Sequence, residues 1–273
     1  MHKIEIPEAK LSIDFPENIY ELKASQYHYY IQLVVMMSKG HISLVEFKVM
    51  WVYHLMNMKY TGKVSDEKMM ALAQIMDLTE GFFTSHKQKD GSLAVSPITD
   101  CAINHCKSFH YNGRTYYGPA DAIADLTIGQ FLDGLSLANA YAQEQDIKYL
   151  QQLFVLMHKV RARGSRKSKP ITTTLVNTLQ EYHIYGFFFF FQSALEFITT
   201  QDVHLADGRV YNFSPLFSGG NSGESVGPVA VLFDLAQSGL FGTIDKTKET
   251  LMMDSLIYLL DSHFKAKRAT KKT

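Results

Sequence analysis

Cysteine is scarce: Cys101 and Cys106 are the only two in 273 residues, too few for the disulfide framework of a small secreted fold. Net charge is missing too. Lys and Arg total 27 and Asp and Glu total 27, so no global field steers the chain toward nucleic acid or an anionic membrane. The longest apolar stretch, Tyr185 to Phe191, falls far short of the ~20 residues that span a bilayer. Met1 to Lys10 lack the apolar centre of a signal peptide. A cytoplasmic protein without a membrane anchor is the expectation. Catalytic signatures are absent as well: there is no HExxH, no phosphate-binding glycine loop followed by Lys, and no G-x-S-x-G elbow.

The residues that are abundant describe a folded globule. Hydrophobic residues make up 46% of the chain, with 18 Phe, 15 Tyr and 12 Met giving a soft, aromatic interior. Ile4, Ile6, Leu11, Ile13 and Phe15 alternate with polar residues, the period of two short strands or an extended arm. Helices are expected from Ser25 to Ser38 and, after the capping box Ser43–Glu46, to Asn57. Others are expected over Asp66–Leu78, from the capping box Thr127–Gln130 to Ala142, over Glu144–Lys159 and over Thr173–Thr199, the last with a bend near Gly186. A further helix should cover Asp245–Phe264.

Asn112-Gly113 between two aromatic runs predicts a β-hairpin at residues 108–117, and Asp207-Gly208 suits a smaller one. The fold class is therefore mainly α: a multi-helix globule with a small β element. Residues 1–160 and 171–264 read as two helical regions joined by a basic linker at 161–170 and followed by a basic tail at 265–273; a single domain is the alternative.

Cys101, His105, Cys106 and His110 carry zinc-type donors, but their spacing is poor for a tetrahedron. Ordinary packing is the favoured reading, and no cofactor is expected. The Ser222 glycine loop reads as surface. The carboxylate pairs Asp121/Asp125 and Glu144/Asp146 read as helix-start or surface acids. Arg161, Arg163, Arg166, Lys167 and Lys169 form a basic patch suited to phosphates or to an acidic partner, with a solvated linker favoured over both. Ile4 and Ile6 are candidates for adding a strand to a neighbour's sheet. Phe187 to Phe191 point around a whole helix, so that segment should be core.

The order of motifs carries a resemblance. Phe15-Pro16-Glu17-Asn18-Ile19-Tyr20-Glu21-Leu22, with Gln26, leads into a helix; a second helix bears Phe47 and Trp51. Then come Arg114-Thr115-Tyr116-Tyr117-Gly118-Pro119-Ala120-Asp121, Leu126-Thr127-Ile128-Gly129-Gln130-Phe131 and Tyr149-Leu150-Gln151-Gln152-Leu153. Ser238-Gly239-Leu240-Phe241-Gly242 precedes the last helix. This layout, over residues 14–260, resembles helical proteins from the tail and assembly genes of bacterial tailed phages and prophages, chiefly those like tail assembly chaperones. The resemblance implies a non-enzymatic virion or tail-assembly protein that self-associates and contacts other tail proteins. It places the chain in the host cytoplasm during assembly, or in the virion. A nucleic-acid-contacting module built on residues 159–169 is the second expectation, and a metal-dependent or hydrolytic enzyme the third; neither is favoured.

Overall fold

In the computed structural model the described residues are 2–6, 11–58, 73–111, 114–161, 168–170, 176, 179–205, 208–217 and 235–270. In chain order the elements are strands β1 (His2–Ile6) and β2 (Leu11–Phe15), helices α1 (Ala24–Ser38) and α2 (Leu44–Leu55), then strands β3 (Phe83–Lys87) and β4 (Leu93–Pro97). Strands β5 (Ser108–Tyr111) and β6 (Arg114–Tyr117) precede helices α3 (Ile128–Glu144) and α4 (Ile147–Met157). Next are β7 (Lys159–Arg161), β8 (Ser168–Pro170) and the long helix α5 (Glu181–Thr200). The chain continues with β9 (Asp202–His204), β10 (Val210–Asn212), α6 (Ser214–Phe217), α7 (Ile244–Lys248) and α8 (Met252–Thr270).

The fold is mainly α with small antiparallel strand pairs. No helix among the described residues is long and apolar enough to cross a membrane. Two compact units form, Met1–Cys101 with Gln180–Phe189, and Ala102–Leu179 with Phe190–Thr273. That grouping cuts near residues 101 and 180, whereas the sequence pointed to a boundary at 161–170.

In the first unit, Glu46 N–H donates to Ser43 Oγ at 3.3 Å and Ser43 N–H to Glu46 Oε2 at 2.8 Å, the expected capping box of α2. Helices α1 and α2 pack through Tyr30, Phe47 and Trp51, all fully buried. The Tyr30 hydroxyl is shared between the carbonyls of Phe82 (2.7 Å) and Ile98 (3.0 Å), which ties the two ends of the β3–β4 hairpin to α1. Asp90-Gly91 makes the hairpin's turn, with Gly91 at φ 85° and Ser92 N–H donating to Asp90 Oδ1. Four of the five residues of β3 face solvent and lack apolar alternation. Gly81 has no alternative here, since a Cβ would lie 2.1 Å from the Glu17 carbonyl oxygen. Helix α5 runs through Gly186, which serves close approach: Tyr27 donates to its carbonyl at 2.9 Å, and a Cβ would meet the Tyr27 ring at 3.2 Å.

The second unit holds a four-stranded antiparallel sheet in the order β5-β6-β7-β8. The 108–117 hairpin is present; Asn112 and Gly113 lie outside the described residues, and Tyr111 opposite Arg114 is the register of a two-residue connection. The expected linker 161–170 is corrected at its described ends. Lys159–Arg161 pairs with β6 and with Ser168–Pro170, so the basic segment starts and finishes as strand. Packed against the sheet through Phe154 is α4, which buries Leu150, Leu153, Phe154 and Met157 at helical spacing along one face. The hairpin expected at Asp207-Gly208 is β9–β10.

Helix α3 starts at its capping box, with Gln130 N–H donating to Thr127 Oγ1 at 3.2 Å. The single helix expected over Asp245–Phe264 is two. Leu251 stands opposite Thr127 in a strand-like antiparallel bridge, made by Ile128 N–H donating to Thr250 O and Met252 N–H donating to Leu126 O, both at 2.8 Å. Helix α8 then continues through Lys265, Lys267 and Arg268, so the expected tail is helical to Thr270, and the last-turn cations suit its negative end. Phe187, Phe188, Phe190 and Phe191 are buried and Phe189 is half-buried, as a core helix requires. Of the helix expected over Asp66–Leu78, only 73–77 are described as helical; the glycine loop around Ser222 lies outside the described residues.

Gly134 in α3 tests the packing. Helix propensity favours Ala over Gly by roughly 0.5–1 kcal/mol. However, a Cβ at Gly134 would lie 2.6 Å from Met157 Cε and 2.9 Å from Phe191 Cζ. Overpacking costs about 1–3 kcal/mol. Gly134→Ala is expected to lower the urea midpoint; an unchanged or higher midpoint would show that this contact is not tight.

Candidate functional site

Cys101, His105, Cys106 and His110, the weak zinc-donor candidates of the sequence, are all among the described residues. Among the described residues no group of three or more His, Cys, Asp or Glu is placed to hold a metal ion. Cys101 and Cys106 are buried and form no disulfide, and burial pushes the Cys106 thiol up to about 12, far from a thiolate at neutral pH. His110 is exposed on β5. His105 is half-buried; burial holds its imidazole below the ordinary value, with nearby Asp121 opposing the shift.

Asp121 belongs to a local polar clasp. Its carboxylate accepts from Asn104 N–H at 2.8 Å and from Lys107 Nζ at 2.6 Å. Burial raises the Asp121 carboxyl, but these two donors outweigh it and the net direction is down. Asn104, itself buried, donates from Nδ2 to Pro119 O at 2.6 Å and accepts from Cys106 N–H at 2.8 Å. The other acids named from sequence are engaged similarly: Asp125 accepts from Ala120 N–H, Asp146 caps α4 through Lys148 N–H, and Glu144 accepts from the Tyr149 hydroxyl. The loop they hold is strained, with Ala122 and Ile123 at φ 50° and 49°, a region that disfavours a β-branched side chain.

His158 is the residue whose role was missed. It is fully buried directly after α4, with Nδ1 2.9 Å from Phe154 O and Nε2 3.2 Å from Cys106 O. Its ring stacks on Phe154 at 3.8 Å. A Cβ at Gly118 would sit 2.6 Å from its Nε2. A His followed by a strand and a distant Gly carry no joint sequence signal; only the fold brings them together.

His158 anchors the place where α4 turns into β7, and so positions the sheet. One sheet face is covered: Phe109 and Tyr116, opposite each other, stack at 4.9 Å, and Phe109 meets Phe154 and His158 of the α4 end. On the other face Ser108, His110, Tyr117 and Lys159 are exposed. Arg161 closes β7, and Lys169 stands opposite Val160 in β8. Arg163, Arg166 and Lys167 lie outside the described residues. Ile4 and Ile6 are in β1, opposite Ile13 and Leu11 of β2.

The first unit has a shallow cleft of about 260 Å³ over Val35 and Met36, crossed at its edge by the Lys39–Glu181 ion pair and bordered by Gln32 and Tyr182. Beside it His28 and His183 meet edge to face at 4.8 Å, and Tyr182 lies 4.4 Å from His183. Burial lowers the His183 imidazole, the Gln180 carbonyl opposing in part, and His183 Nδ1 has no formed hydrogen bond. Burial lowers His54 as well, in a stack between Tyr29 and Trp51.

No protein-family model, curated protein or solved structure matches the chain.

The lowered histidines fix the sign of a pH effect. His54, His105 and His183 each hold a proton less readily folded than at the ordinary value of 6.5. Their contribution to stability is complete above that value and is lost as pH falls through it. Thermal midpoints should drop between about pH 8 and about pH 5. His183→Phe, which cannot titrate, should make that slope shallower; an identical slope would remove His183 from the account.

Proposed function

We propose that this chain works without catalysis, through protein contacts in the assembly or the body of a bacteriophage tail. The observation that carries the reading is the β1–β2 hairpin. It forms a two-stranded sheet of its own, so among the described residues both outer edges are unpaired. Its register sets Ile4 opposite Ile13, Ile6 opposite Leu11 and Lys3 opposite Asp14. An isolated two-stranded hairpin is marginal in water. Such an edge is a template for a strand of another chain, which gains main-chain hydrogen bonds and apolar contacts together.

The tail assignment rests on the order of sequence motifs, and it makes other tail proteins and further copies of this chain the partners. The host cytoplasm during assembly, or the virion, is the matching location. No cofactor takes part in this reading. The polar clasp around Asp121 and the cap at Asp146 are consistent with it, since those carboxylates already hold backbone N–H groups.

Light scattering on the full chain should give a dimer or larger species, and co-expression with a phage tail gene cluster should retain a tail protein. Ile4→Asp combined with Ile6→Asp should weaken association by about ten-fold or more without changing helical circular dichroism. A monomer at high micromolar concentration that retains no tail protein would end this reading.

A further inference from the structure

The exposed face of the four-stranded sheet has a chemistry that strand addition at the N-terminal hairpin does not use. From Lys159 to Pro170 the sequence holds six Lys or Arg and no Asp or Glu. Three exposed lysines are paired locally: Lys107 with Asp121, Lys148 with Asp146 and Lys265 with Asp261. Lys159 has no ion-pair partner among the described residues. The segment is no free linker, because β7 pairs with β6 and places Lys159 opposite Tyr117.

Directly opposed residues share a face, and neighbouring strands lie about 5 Å apart. Tyr117, 46% exposed, therefore stands beside Lys159, with exposed Ser108 opposite it on the other flank. Alternation puts His110 of β5 at the same face as Tyr117, and the register sets Arg161 of β7 opposite Ser168 of β8, two residues on from Lys159.

An acidic peptide would satisfy the cations but would gain nothing from a bare aromatic ring among them. A single-stranded nucleic acid uses both: each base has a face to stack, and its backbone carries one phosphate per nucleotide. Double-stranded DNA fits less well, since its bases are already stacked on each other. We propose that this sheet face binds single-stranded nucleic acid without sequence preference, a base stacking on Tyr117 while Lys159 and Arg161 neutralise the backbone. The zero net charge of the whole chain does not oppose this, because screening over about 8–10 Å makes the local field decisive.

The test is fluorescence anisotropy of the full chain with a labelled single-stranded oligonucleotide of about 15 nucleotides, at two or more salt concentrations. Binding is expected at low salt and should fall as salt rises. Tyr117→Ala should weaken it by about ten-fold, and Tyr117→Phe should restore it, because the ring and not the hydroxyl stacks. Lys159→Ala with Arg161→Ala should reduce the log–log salt slope by about 1.4, the share of two phosphates on a single strand. Tyr117 and Lys159 are exposed, so circular dichroism of these variants should match the parent. No binding at low salt overturns the proposal. So does binding indifferent to Tyr117→Ala, or polyglutamate competing as well as the oligonucleotide, either of which would assign the face to an acidic protein segment.

Discussion

Two carbonyl oxygens, those of Phe154 and Cys106, face the two nitrogens of the buried His158 imidazole, and much of the second unit is arranged around that bridge. One carbonyl belongs to the last turn of α4, the other to the loop entering β5. A neutral imidazole carries one N–H and donates to one of the two carbonyls, so the segments are held by that bond together with the packing of the ring on Phe154 and Phe109. Phe109 and Tyr116 then pack on the same aromatic stack, and the chain leaving His158 has one direction available, along β6. The basic strand is thus a consequence of a packed core, and its charge is displayed because the opposite face is already occupied.

The first unit solves a related problem with different groups. Tyr30 is buried to the hydroxyl and tolerates this because two carbonyls receive it. Trp51 is buried as deeply with no partner for Nε1. Burying some 150–250 Å² of ring at about 25 cal/mol/Å² yields roughly 4–6 kcal/mol, which exceeds the ~1–3 kcal/mol of an unmet N–H. Packing outweighs hydrogen bonding there. At Gly81 and Gly186 the missing side chain is what lets carbonyl and ring come close.

Features that are local in sequence were legible in it. The capping boxes at Ser43 and Thr127, the 108–117 hairpin, the apolar face of α4 and the Asp207-Gly208 turn each lie within a dozen residues, and each has its own steric or hydrogen-bonding rule. Features fixed at long range were hidden. Strand β3 is polar nearly throughout, and its place depends on Tyr30, 52 residues away from Phe82. The segment 159–170 has the composition of a solvated loop and becomes strand because β6 offers an edge. The break between α7 and α8 follows from the bridge to Thr127, which helical periodicity does not register. For the candidate sites the pattern is the same. The Cys/His cluster is close in sequence but poorly spaced for a metal, and no metal-holding group forms among the described residues, whereas Tyr117 and Lys159 are 42 positions apart and adjacent only through register.

The open edges of the β1–β2 hairpin are five residues long. In an antiparallel pair only about half of the backbone groups on an edge point outward, so an added strand gains about four to six main-chain hydrogen bonds per edge. At about 1 kcal/mol net for each, a single engagement is short-lived. Permanence would have to come from repetition, with many identical chains held side by side so that a detached hairpin recaptures before its neighbours let go. A ring or stacked tube supplies that condition, and a dilute monomer does not.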